Sequence, residues 1–276
     1  MKREIELYAK CPCLVAEGPR WCAAETSLYW VDVTAGHVYV KRDGDAPDAF
    51  EKFELGLGKI GAAAVIGPRR LLLFANECKV WEYELGGTPR LRFTLPGHAN
   101  TRFNDVFTDG VRYYCGVAPA PDDATRRGEL WMMTADGAFS CIEPATRGMP
   151  NGMGFAPDGR TFYFVVTDER RIYAYDYDRA DGTVGNRRVL CETDGRGMPD
   201  GMCVAPDGTL WIGFWDGYRL ERRAADGKLL ESIAFPMAKV SSVEALEDRL
   251  FVTTANLPHD ERAFADISAG CVFEIH

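Results

Sequence analysis

No run of apolar residues in this chain approaches the eighteen or so that a membrane-spanning helix requires. The opening residues, Met1-Lys2-Arg3-Glu4-Ile5-Glu6, turn charged at once instead of beginning an apolar leader. The expectation is a soluble, unexported, cytoplasmic protein with no membrane partner. Lys and Arg form no cluster or stripe, and 32 of them face 41 Asp and Glu, for a net charge of −9. Nucleic acid is therefore not an expected partner. The nine cysteines are scattered and include no Cys-x-x-Cys pair. That removes the usual thiolate zinc spacing and leaves reduced thiols, mostly small core residues. There is no Gly-x-Ser-x-Gly sequence, so the usual mark of a serine esterase is missing. The four histidines, His37, His98, His259 and His276, stand at no paired ligand spacing. No segment sustains a helical period over about twelve residues.

What the chain does have is a repeat. Gly148-Met149-Pro150-Asn151-Gly152-Met153 to Asp158-Gly159 returns as Gly197-Met198-Pro199-Asp200-Gly201-Met202 to Asp207-Gly208. A turn followed by an aromatic or apolar strand occurs six times, at Tyr29-Trp30, Leu71-Leu72, Tyr113-Tyr114, Phe162-Tyr163, Leu210-Trp211 and Leu250-Phe251. A second alternating strand follows each in step, as at Val80-Trp81-Glu82-Tyr83 and Ile172-Tyr173-Ala174-Tyr175. The period of roughly forty to fifty residues is that of a four-stranded propeller blade. Asp-Gly pairs beginning at Asp43, Asp109, Asp136, Asp158, Asp181, Asp207 and Asp226 supply tight turns.

The reading is an all-β protein: a single six-bladed β-propeller domain over residues 1–276, with four-stranded blades starting near 15, 58, 102, 150, 199 and 240. A ring must close or two sheet edges stay unpaired. Ile5-Glu6-Leu7-Tyr8 is the candidate outer strand of the last blade. The repeated Tyr, Trp and Phe residues are read as packing between blades.

Equal phase in a propeller means equal height on the innermost strands, which line the central channel. Glu17, Asn151 and Asp200 each precede their aromatic marker by about a dozen residues, and Asn104 by slightly fewer. Four oxygen-bearing side chains from four blades should therefore meet at one mouth of the channel. Two carboxylates and two amides suit a hard divalent cation such as Ca²⁺, Mg²⁺ or Mn²⁺. For any one residue alone, the competing reading is an ordinary Asn-Gly or Asp-Gly turn. Lys59 and Lys239 fall near the same phase in the other two blades, where solvated lysine is the simpler reading. His98 precedes Arg102 closely and reads as a loop residue. Cys11 and Cys13 read as packing.

Glu17-Gly18-Pro19-Arg20-Trp21, Arg102-Phe103-Asn104-Asp105, and the paired Asn151-Gly152 and Asp200-Gly201 segments resemble, in order, the motifs of the gluconolactonase, senescence-marker-protein and regucalcin family. The resemblance implies a six-bladed propeller lactonase with one divalent metal ion. Ca²⁺, Zn²⁺, Mn²⁺, Mg²⁺ and Fe²⁺ have all been associated with the family. It implies metal ligation by Glu17, Asn151 and Asp200, assistance to the attacking water by Asp200, and substrate contacts from Arg102 and Asn104. The implied substrate is a small sugar lactone such as a gluconolactone or pentonolactone. The sequence departs from the family pattern at Val106, Val166 and Val243-Glu244-Ala245-Leu246. It also has no alignable Glu in the loop of residues 119–127. A metal-dependent enzyme with another ester substrate is a second reading. A non-catalytic calcium-binding or sugar-sensing propeller is the alternative from a different class. Oligomeric state is not legible.

Overall fold

Alternating burial along each segment dictates strands, and the described residues, 3–257 and 269–276 of a computed structural model, form 24 of them with no helix. His259 lies outside the described residues. The first strand is β1 (Ile5–Ala9). Blade 1 follows with β2 (Ala16–Cys22), β3 (Ser27–Asp32), β4 (His37–Arg42) and β5 (Glu51–Glu54). Blade 2 holds β6 (Ile60–Gly67), β7 (Arg70–Ala75), β8 (Lys79–Glu84) and β9 (Arg90–Thr94). Blade 3 holds β10 (Phe103–Thr108), β11 (Tyr113–Val117), β12 (Arg127–Met133) and β13 (Phe139–Arg147). Blade 4 holds β14 (Pro150–Phe155), β15 (Thr161–Val166), β16 (Arg171–Asp178) and β17 (Thr183–Glu192). Blade 5 holds β18 (Met198–Val204), β19 (Leu210–Trp215), β20 (Arg219–Arg223) and β21 (Leu229–Ala234). Blade 6 has β22 (Val240–Ala245), β23 (Leu250–Thr254) and β24 (Val272–Ile275).

Each sheet is four antiparallel strands in chain order, except the last. There β1 pairs with β24, Ile5 opposite Ile275, so the start of the chain closes the ring as expected. The result is a six-bladed β-propeller. All seven Asp-Gly turns hold their glycine at positive φ, as a tight turn requires.

The core lies between blades. Tyr163, Val165, Ile172 and Ala174 of blade 4, for example, pack with Met202, Leu210, Ile212 and Phe214 of blade 5. Seven of the nine cysteines, Cys11 and Cys13 among them, are buried, as the packing reading held.

One irregularity recurs in all six blades and sets up everything at the channel mouth. The register between the first and second strand slips near the start of every first strand. In blades 3, 4 and 5, two residues of the inner strand oppose one of its neighbour: Asn104-Asp105, Asn151-Gly152 and Asp200-Gly201. In blade 1 the extra residues are Gly18-Pro19, directly after Glu17. A bulge bends its strand and re-aims a side chain. Sixfold repetition points the same position of each blade toward the axis.

Candidate active site at the channel mouth

The Asn-Gly and Asp-Gly pairs are not turns. Asn151-Gly152 and Asp200-Gly201 sit inside β14 and β18, and neither glycine has positive φ. The glycines are there for proximity. A Cβ on Gly152 would stand 2.2 Å from the backbone nitrogen of Met202, and one on Gly201 would stand 2.6 Å from the carbonyl oxygen of Ser241. Neighbouring inner strands thus approach too closely for any side chain, and this brings Asn151 and Asp200 side by side.

Glu17, Arg102, Asn104, Asn151 and Asp200 all line one cavity of about 250 Å³. Asn151 and Asp200 are buried, with 6% and 4% of their surface exposed. The amides are oriented by a relay. Asn104 Nδ2 donates to the Pro150 carbonyl at 2.9 Å and to Asn151 Oδ1 at 3.2 Å. Asn151 Nδ2 donates to the Thr167 hydroxyl at 3.0 Å, and that hydroxyl donates to the Pro199 carbonyl at 2.8 Å. With its nitrogen committed to Thr167, Asn151 keeps its oxygen as an acceptor.

The carboxylates are electrostatically uncompensated. Burial, with the charges of Asp200 and Asp105, pushes the Glu17 carboxyl well above its usual range. Burial and Asp105 push Asp200 up as well, against smaller opposing effects of Asn151 and Arg102. Neither carboxylate has an ion-pair partner among the described residues. Burial also lowers the pKa of Arg102. Its Nη1 donates to the Phe103 carbonyl at 2.9 Å, and it pairs with neither Asp105 nor Asp109. Two like charges, one buried and one half-buried, with no ion-pair partner are the kind of pair that a divalent cation would neutralise. Among the described residues no three His, Cys, Asp or Glu side chains converge, and the Asn151 and Asn104 amides are the neutral oxygen donors in the same cavity. The residues present fit a hard cation.

The remaining sequence candidates divide. Lys59 does line the cavity, whereas Lys239 is buried and its Nζ lies 2.7 Å from Asp216. The solvated-lysine reading thus fails for Lys239 because an acid from the turn between β19 and β20 of the preceding blade covers it. His98 is a loop residue, held by Glu129 at 2.8 Å and the Pro96 carbonyl at 2.7 Å. Val166 is a buried core residue packed with Phe164. Val106 supplies its carbonyl to Arg20 at 3.0 Å, and Glu244 lies 3.7 Å from the same guanidinium.

Sequence reasoning missed Thr167, Asp168, Arg126 and Trp215, all in the cavity wall. Arg126 comes from the loop in which some family members place a Glu. It has φ 49° and lies 3.3 Å from Asp168. A usable signal existed for the others: Val33-Thr34 and Thr167-Asp168 follow the second strand of their blade, and Trp215 ends it.

A propeller with an acid-and-amide pocket at one mouth of its axis defines a class of site, and comparison with known proteins names the family. Residues 15–256 match the family model described as SMP-30/Gluconolactonase/LRE-like region, and the chain belongs to that family. It is 34% identical to the pentonolactonase XacC of Haloferax volcanii over 88% of this chain and 82% of that protein. It is 31% identical to an L-arabinolactonase of Azospirillum brasilense over 98% and 91%. Among solved structures, a calcium-binding regucalcin from Agrobacterium tumefaciens superposes with a TM-score of 0.86 at 22% identity, over 100% of this chain and 94% of that one.

Proposed function

We propose that this protein hydrolyses a sugar lactone with one divalent cation held by Glu17, Asn151 and Asp200. The observation that carries the reading is a pair of carboxylates without an ion-pair partner, Asp200 buried and Glu17 half-buried, with an oriented amide on the wall of the same small cavity. The relatives named pentonolactonase and L-arabinolactonase support the substrate class. The identity of the cation, among Ca²⁺, Zn²⁺, Mn²⁺, Mg²⁺ and Fe²⁺, belongs to the same proposal and is read by metal analysis of the purified protein.

When bound, the ion supplies Lewis-acid polarisation of the ester carbonyl and acidifies water. The protein does the rest. Asp200 takes the proton of the attacking water at whichever carboxylate oxygen is not engaged in ligation. Arg102 offers the rest of its fork to the lactone carbonyl or ring hydroxyls, and Asn104 positions both Asn151 and substrate. An unpaired guanidinium beside the carboxylates favours this over a module that only stores a cation.

The test is a lactone panel followed by acid release, with and without chelator, in wild type, Asp200→Asn and Asn151→Ala. Loss of turnover in both variants, with far-UV circular dichroism unchanged, is the expected result. Turnover that survives both metal stripping and Asp200→Asn overturns the proposal.

A further inference from the structure

The charge of the cavity runs against that of the chain. The whole sequence carries −9, yet Lys59, Arg102 and Arg126 share this one cavity with Glu17, Asp200 and Asp168. These charges do not cancel pairwise. Arg126 is tied to Asp168 at 3.3 Å, and Asp168 also accepts the Met149 N–H at 2.8 Å. Glu17 and Asp200 are the pair assigned above to a divalent ion, which would neutralise them. Lys59 and Arg102 are left over. Lys59 is exposed, and its ammonium has no ion pair or side-chain hydrogen bond among the described residues.

The same two cations stand where the cavity meets a second bay. That bay, of about 500 Å³, shares Lys59, Arg102 and Met149 as its wall and continues past Asn76, Asn100 and Thr101. Its one carboxylate, Glu77, is paired with Lys79. The bay thus presents mixed apolar and neutral polar walls, with the unpaired Lys59 at its junction with the candidate active site and Arg102 beside it, which the charges of Glu17 and Asp200 offset. A plain sugar lactone offers no charged group to Lys59 or to the bay.

We infer that the substrate is a lactone whose far end carries an oxyanion (phosphate, sulfonate or carboxylate), received by Lys59 where the two cavities join, beside the Arg102 that serves the ring end. This rests on the lactonase reading for the ring end. A charge-assisted hydrogen bond from an otherwise unpaired lysine favours the anionic form by contact, and salt screens it.

The experiment compares kcat/KM of metal-loaded wild type for a pentono- or hexonolactone with that for the same lactone bearing each terminal anion in turn. The expected result is a preference of about tenfold or more for at least one anionic form. That preference shrinks as salt is raised, falls toward parity in Lys59→Met and is kept by Lys59→Arg. The three anionic arms identify which group is recognised. A second readout needs no turnover: the thermal shift produced by open-chain aldonates with and without the terminal anion. If neutral lactones are hydrolysed as well as or better than all anionic ones, the inference is overturned and the lactonase reading stands. If no lactone is hydrolysed, the lactonase reading fails and the thermal shift decides. A larger shift from the anion-terminated aldonate that Lys59→Met abolishes supports the anion site. Equal shifts, or shifts indifferent to Lys59→Met, overturn it.

Discussion

At the scale of single residues, the site depends on side chains held in place by their neighbours. Thr167 is the clearest case. Its hydroxyl links the Asn151 amide to the Pro199 carbonyl, and so decides which end of the amide is left to accept. Thr167→Val keeps the shape and removes the link. Divalent-ion affinity should fall about 10- to 100-fold, the usual cost of losing a partner that orients a ligand. Calorimetric metal titration, with the thermal midpoint as a control for folding, reads this.

The carboxylates make a second prediction. An acid whose folded pKa is raised holds its proton more tightly in the folded state. It therefore favours folding below that pKa, and the contribution is lost as pH rises from the ordinary carboxylate range through the raised value. Glu17 and Asp200 are both raised. In chelator, wild type should lose stability relative to Asp200→Asn as pH climbs from about 4 toward neutral. Adding a divalent ion should remove the difference in slope. Thermal melts of both proteins across pH measure it.

At the scale of elements, the repeated bulge is the device that re-aims side chains at the start of the inner strands. It works only because adjacent inner strands nearly touch. Gly152 and Gly201 are required by that approach rather than by backbone conformation. Gly152→Ala should cost about 3 kcal/mol, at the upper end for overpacking, because the obstacle is the Met202 backbone nitrogen and cannot rotate away. Gly185→Ala, in β17 with nothing within 4 Å of the added methyl, should change stability by less than about 0.5 kcal/mol. Urea unfolding of the two variants separates proximity from a general aversion to alanine in strands.

At the scale of the whole molecule, the axle of the propeller carries its own charge balance. Burial raises the pKa of Asp105 and of Glu244, and the Arg20 guanidinium opposes both shifts. Arg20 lies 3.9 Å from Asp105 and 3.7 Å from Glu244, from blades 1, 3 and 6, and reaches the Val106 carbonyl as well. Removing it leaves two enclosed carboxylates without a cation. Arg20→Met should destabilise the fold by about 3 kcal/mol at neutral pH, as for one partner removed from a buried pair. The loss should diminish on acidification, when both acids are neutral. Denaturant melts at pH 5 and pH 8 distinguish this from a simple packing defect, which would be insensitive to pH.

The sequence by itself determined the strand periodicity, the number of blades, the closing role of Ile5 to Tyr8, and the common phase of Glu17, Asn104, Asn151 and Asp200. Each is a property of spacing along the chain, and a near-symmetric ring converts spacing directly into position. Only the tertiary structure decided which side chains complete the pocket. Thr167, Arg126 and Asp168 come from segments after the second strands, and their distance from the inner strands depends on how far each loop leans over the mouth. It decided, too, that Lys59 stays uncovered while Lys239 is capped by Asp216. Nothing in the local sequence separates those two lysines; what separates them is whether a neighbouring loop brings a carboxylate within hydrogen-bond reach.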